Sequence, residues 1–149
     1  QKELFHNEAL QMLDTIVAAA VESALLNEPP ATPVPGQCFI VGTAPTGIWA
    51  GHAASLASFS QAGWRFIEPA DGLQAWLKST STWAAYRAGA WELGTLRATR
   101  LMIDGVNVVG ARGPAVPDPA GGTTVDGEAR SAIAAILTAM RTHGLIATE

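Results

Sequence analysis

The chain has 149 residues, 48% of them hydrophobic and 15% charged, and nine Lys and Arg against 13 Asp and Glu leave a net charge of −4. That length suits one domain with a core, burying roughly 68–70% of the unfolded surface. The cations are scattered with no basic run, which argues against nucleic acid and against an anionic membrane surface as partners. The single cysteine, Cys38, excludes an internal disulfide and reads as a small buried hydrophobe in the run Cys38-Phe39-Ile40-Val41. The longest apolar run near the start, Ile16 to Val21, is far short of a membrane span, and no signal-peptide pattern precedes it.

Residues 1–26 read as an N-terminal helix running to about Ala24. Phe5, Ala9, Met12 and Ile16 recur at steps of three and four, and Leu10, Leu13 and Val17 widen the stripe. A stripe that broad on an alanine-rich helix calls for burial, either on the chain's own β region or against copies of itself. Residues 27–36 follow as a stiff linker whose four prolines exclude helix and favour extended geometry.

Residues 37–110 read as an antiparallel β domain built on a tandem repeat. Phe39, Ile40, Trp49, Phe59 and Trp64 recur 27 positions later as Phe66, Ile67, Trp76, Tyr86 and Trp91, with Gly36 and Gly63 sharing the shift. A fixed period of this size marks a supersecondary unit that buries its apolar face by stacking on its neighbour. Two hairpins stand out, one turning through Ser60-Gln61-Ala62-Gly63 and one through Arg87-Ala88-Gly89-Ala90. They set Phe59 against Trp64 and Tyr86 against Trp91. Period two places Ala57, Phe59, Trp64 and Phe66 on one face and Ala84, Tyr86, Trp91 and Leu93 on the matching face, the expected core. The same alternation puts Trp76 with Gln74 and Lys78, and Trp83 with Arg87 and Glu92, on polar faces. Large aromatics among charges mark a surface of interest. Trp76, Trp83, Lys78, Arg87 and Glu92 are thus candidates for glycan contact, because an indole face stacks on a sugar's C–H face. The competing reading covers both tryptophans with a neighbouring subunit or with the N-terminal helix. A further hairpin turns at Asp104-Gly105.

Residues 111–149 read as a Pro/Gly loop followed by a tip helix from about Asp126 to Thr142. Thr123 to Asp126 supply caps, and Gly144 ends the helix. Ala129, Ile133, Ile136 and Met140 follow a-and-d spacing, and Ile at both kinds of position favours three strands over two. Phe5, Met12, Ile16, Ile133, Ile136 and Met140 are the candidate oligomerisation residues.

No catalytic constellation rises above the background, and an enzyme is not expected. His6, His52 and His143 are dispersed with no second ligand at metal spacing, so neither metal nor other cofactor is expected. Gly42 to Gly47 lacks the Lys-Ser/Thr of a phosphate loop. Glu68, Asp71, Glu92 and Asp104 show no environment that would separate an acid from a base.

Three stretches resemble a family of uncharacterised domains found in alphaproteobacterial prophage tail-fibre proteins and gene transfer agents. The first runs from Gln1-Lys2-Glu3 through His6-Asn7-Glu8-Ala9-Leu10 to Leu13-Asp14. The middle comprises Pro33 to Val41, Gly47-Ile48-Trp49-Ala50-Gly51-His52, Gly63-Trp64-Arg65-Phe66 and Ala75-Trp76. The end resembles the C-terminal tip of such fibres, in Val108-Val109-Gly110-Ala111-Arg112, Asp118-Pro119-Ala120-Gly121-Gly122, Val125-Asp126 with Glu128-Ala129-Arg130, and His143-Gly144-Leu145-Ile146. The resemblance implies a structural spike or fibre protein of a phage-like particle, made in the bacterial cytoplasm and carried on the virion or gene transfer agent. It would be a homotrimer in contact with other particle proteins and with host surface polysaccharide, without membrane insertion. This chain lacks the long repetitive shaft of many such fibres, which favours a compact spike or adaptor. The alternative is a stand-alone carbohydrate-binding module. The expected fold is α+β: an N-terminal helix, a small repeated antiparallel β module and a C-terminal helix.

Overall fold

In the computed structural model, which describes residues 2–17, 19–123 and 126–148, the first helix, α1, covers Lys2–Val17. The expected continuation to Ala24 is strand instead. Ala20–Val21 forms β1 and Ser23–Leu26 forms β2. The reason is tertiary: Ala, Glu and Leu favour helix on their own, but propensity is readily overridden by pairing, and here the segment completes two sheets at once. β1 pairs in parallel with β6 (Gln74–Leu77), and β2 pairs in parallel with β3 (Cys38–Val41). Between them the Glu22 amide donates to the Cys38 carbonyl (2.8 Å), and the Lys78 amide donates to the Val21 carbonyl (2.9 Å). The proline-rich stretch is therefore not a spacer between helix and β domain. It is the crossover that carries the chain from β2 to its parallel neighbour β3, a return that a tight hairpin turn cannot make.

The fold is α+β. The chain divides into residues 1–96 and residues 97–149, so the boundary falls at Leu96 rather than at 110. Within 1–96, β4 (Leu56–Ser60), β5 (Gly63–Ile67), β7 (Thr82–Arg87) and β8 (Ala90–Leu93) complete two four-stranded sheets of orders β2-β3-β4-β5 and β1-β6-β7-β8. The hairpin registers follow the sequence reading: Phe59 lies opposite Trp64, and Tyr86 opposite Trp91.

The 27-residue period holds for the hairpins only. Phe39 pairs with Ala57 and Ala75 pairs with Ala84, so 57 to 84 is 27 while 39 to 75 is 36. Phe39 corresponds structurally to Ala75, not to Phe66, and Ile40 to Trp76. The nine extra positions lie in the first unit's connection, residues 42–54, against residues 78–81 in the second. That longer connection carries Trp49 in a 3₁₀ turn, Gly47–Trp49, and folds over the first sheet.

The two sheets stack head to tail. Ile40, Leu56, Cys38 and Ile67 of the first sheet meet Ala75, Leu77, Ala84 and Trp91 of the second, with Val21 among them. The opposite face of the first sheet packs Phe39, Val41 and Ala57 with Trp64 and Phe66 under Trp49, which is fully buried. Trp49 stands edge-on to Trp64 with centroids 5.1 Å apart and planes at 88°. His52 from the same connection lies parallel to Phe66 at 3.7 Å. The first sheet is thus covered on both faces, whereas period two suggested a core on the Trp64 face alone.

In residues 97–149, β9 (Leu101–Ile103) and β10 (Val106–Val109) form the hairpin turned at Asp104-Gly105, where φ is 49° and 76°. Helix α2 spans Gly127–Thr142, and the Asp126 carboxylate caps it by accepting from the Ala129 amide at 2.9 Å. Thr124 and Val125, the other cap candidates beside Thr123, lie outside the described residues. Leu137 and Ile146 are buried here, and Arg141 pairs with Asp118 at 3.0 Å.

Candidate functional site

The head-to-tail order leaves one face of the stack open. The hairpin shift carries Leu56 to Trp83, and strand register carries Ile40 to Trp76. In the first sheet Ile40 and Leu56 are covered by the second sheet. In the second sheet Trp76 and Trp83 occupy those places, and among the described residues up to Leu96 no further sheet packs on them. A terminal unit of a stack is expected to end in a polar face. This one ends in two indoles, with Trp83 53% exposed.

The two tryptophans are directly opposed across β6 and β7, with centroids 5.3 Å apart and planes at 74°. They therefore form a corner rather than a flat platform. Ser81, Thr82, Gly94, Thr95 and Leu96 complete a notch of about 240 Å³. Local backbone geometry shapes this wall. Ser81 sits at φ 53° in the β6–β7 turn, and Gly94, at φ 68°, extends the ladder by donating its amide to the Trp83 carbonyl at 2.8 Å. The Thr80 and Thr82 hydroxyls share a hydrogen bond of 2.8 Å. The lining combines two indoles and a leucine with hydroxyl-bearing Ser81, Thr82 and Thr95, and among the described residues it carries no charged side chain.

Of the residues singled out from the sequence, Trp76 and Trp83 are brought together. Lys78 is not with them: just past the end of β6, its ammonium pairs with the Glu22 carboxylate at 2.7 Å. Arg87 and Glu92 share the open face by alternation but lie toward the other end of the hairpin. Arg87 is four positions beyond Trp83, roughly 13 Å along the strand, and Glu92 is opposite Ala85. Ser81, Thr82, Thr95 and Leu96 were not identified from the sequence. The register of β7 with β8 is the signal that would have placed residues 94–96 beside 82–83.

The candidate oligomerisation residues divide similarly. Met12 and Ile16 are exposed on α1, while the Phe5 side chain lies outside the described residues. On α2, Ile133 and Ile136 are exposed, 45% and 60%, whereas Leu137 turns inward and Met140 is half-buried. The stripe facing outward is thus distinct from the residue that packs its own unit.

Cys38 is buried, and burial pushes its thiol from the ordinary 9.0 to about 11, so it is a packing residue at neutral pH. Among the described residues no three His, Cys, Asp or Glu side chains gather as a metal-ligand set. No helix among them is long and apolar enough to cross a membrane.

A family model described as "Protein of unknown function (DUF2793)" matches residues 6–92. The match ends in β8, one residue short of the end of the second hairpin. No curated protein matches the chain.

Proposed function

The chain belongs to the DUF2793 family, and from that premise we propose that it is a non-enzymatic spike or fibre component of a phage-like particle, prophage or gene transfer agent, that mediates attachment to host surface polysaccharide. The particle context comes from the resemblance carried by the start, middle and tip of the sequence. The attachment role is carried by one observation, the Trp76–Trp83 notch open at the end of the stacked sheets. Leaving Trp83 53% exposed beside the half-buried Trp76 goes beyond what their cross-strand contact needs for folding. Sugar stacking gives them a use, since an indole face offers a broad apolar surface to a ring's C–H bonds.

Homotrimeric assembly accompanies this reading. Ile133 and Ile136 face outward from α2, and Met12 and Ile16 from α1. Closed cyclic assembly buries such stripes without leaving an edge that polymerises. Other particle proteins would hold the assembled spike, leaving the notch toward the cell.

The test is attachment of purified protein to encapsulated host cells, with Trp83→Ala as the comparison. The expected result is loss of attachment with unchanged melting temperature and oligomer mass. Undiminished attachment of Trp83→Ala sinks the proposed role of the notch. A second reading, a stand-alone carbohydrate-binding module, has one observation in its favour: every residue lining the notch lies within residues 1–96. Monomeric mass combined with Trp83-dependent binding selects it.

A further inference from the structure

Resting on that attachment reading, we propose that the notch recognises a single neutral sugar ring bearing a methyl group, at the end or at a branch of the glycan. The methyl belongs to a 6-deoxyhexose or to the N-acetyl group of an N-acetylhexosamine. Three features of the notch carry this.

Geometry limits the number of rings. Gripping the interior of a polysaccharide takes several aromatic faces presented to successive residues. Here Trp83 offers one open face, and Trp76 stands at 74° to it with its centroid only 5.3 Å away. The second indole is a wall, not a second platform. A volume of about 240 Å³ also falls below the roughly 300–1,000 Å³ of sites for drug-sized ligands.

Charge selects neutrality. The polar groups of the lining are the hydroxyls of Ser81, Thr82 and Thr95, each able to donate and accept. Among the described residues no cation lines the notch. Lys78 is engaged by Glu22, and Arg87 lies toward the far end of β7. A uronate or sialate carboxylate would lose water here without gaining a counter-charge.

Shape selects the methyl. Leu96 lines one side of the notch and, being 86% exposed, is available to pack on a bound ring. A hydroxyl set against Leu96 and the indole wall loses its water without a partner, whereas a methyl gains contact. One methyl in an apolar pocket discriminates on the order of tenfold.

The experiment is a saturation-transfer NMR titration of the full chain with methyl glycosides of rhamnose, fucose, N-acetylglucosamine, glucose and glucuronic acid. The expected order places at least one methyl-bearing neutral glycoside about tenfold tighter than glucose, with glucuronate weakest. The rhamnose and fucose arms separate the deoxy methyl from the acetyl methyl of N-acetylglucosamine. Leu96→Ala is expected to erase the preference for the methyl while weak ring binding remains, and Trp83→Ala to abolish binding. The inference is overturned if glucose or glucuronate binds as tightly as the methyl-bearing sugars, if Leu96→Ala keeps the preference, or if no monosaccharide binds. In any of these cases, Trp83-dependent attachment to cells leaves the attachment reading standing. Cell attachment that ignores Trp83 removes both.

Discussion

Trp91 and Trp49 are both core tryptophans of the stacked sheets, but their indole N–H groups differ. The Trp91 Nε1–H donates to the Ala54 carbonyl at 2.7 Å, tying the second sheet to the connection that covers the first. The Trp49 Nε1–H is buried and makes no hydrogen bond among the described residues. Replacing either by Phe removes a similar volume, so the cavity terms are comparable and the difference isolates the hydrogen bond. Trp91→Phe loses that bond and leaves a half-buried carbonyl without a partner, about 1–2 kcal/mol beyond the cavity cost. Trp49→Phe removes a buried orphan donor, which offsets about 1–3 kcal/mol of its own cavity cost. Trp91→Phe is therefore expected to be the more damaging change, although Trp49 is the more deeply buried residue. At about 4–8 °C per kcal/mol for a unit of this size, the gap between the two melting temperatures exceeds roughly 5 °C by circular dichroism. Equal melting temperatures, or a larger loss in Trp49→Phe, refute the view that the Trp91–Ala54 bond holds the stack together.

Other changes read out other parts of the fold. The two-residue turn between β7 and β8 holds Ala88 at φ 47° and Gly89 at φ 84°, so Ala88→Asn, which suits the left-handed region, is expected to stabilise by about 0.5–1 kcal/mol in denaturant titration. A Cβ on Gly42 would lie 2.8 Å from the Leu25 carbonyl oxygen and against the Asn27 side chain, so Gly42→Ala is expected to cost about 1–3 kcal/mol by the same measurement. Burial raises the Cys38 thiol from 9.0 to about 11. Its proton is held more tightly in the folded state, so its contribution is complete below pH 9 and declines to nothing by about pH 11. The span of the decline is about 2–3 kcal/mol, and a stability-against-pH curve for Cys38→Ala is expected to be flatter than wild type across that window. Ile133→Asp with Ile136→Asp places carboxylates in the outward stripe of α2 and is expected to dissociate or unfold the proposed trimer. A double mutant of unchanged mass by light scattering shows that α2 is not an interface.

Local features were legible in the sequence because the physics that sets them acts over a few residues. Asp104-Gly105 turns its hairpin, Asp126 caps α2, and aromatic pairs sit opposite across short loops, since turn chemistry and period two need no distant partner. Residues 19–26 read as helix because Ala, Glu and Leu favour helix when only local preference is weighed. Only the free edges of β3 and β6, brought close by the stack, make strand the better outcome. The repeat was visible as a spacing, but its equivalences were wrong before β4, because an insertion in residues 42–54 shifts sequence position without shifting position in the sheet. Periodicity likewise identified which side chains share a face and could not identify which faces are covered. Leu56 and Trp83 hold the same place in their hairpins, yet one is buried and the other exposed. What separates them is whether another layer packs above, which is a property of where the stack ends and not of the residues within either hairpin.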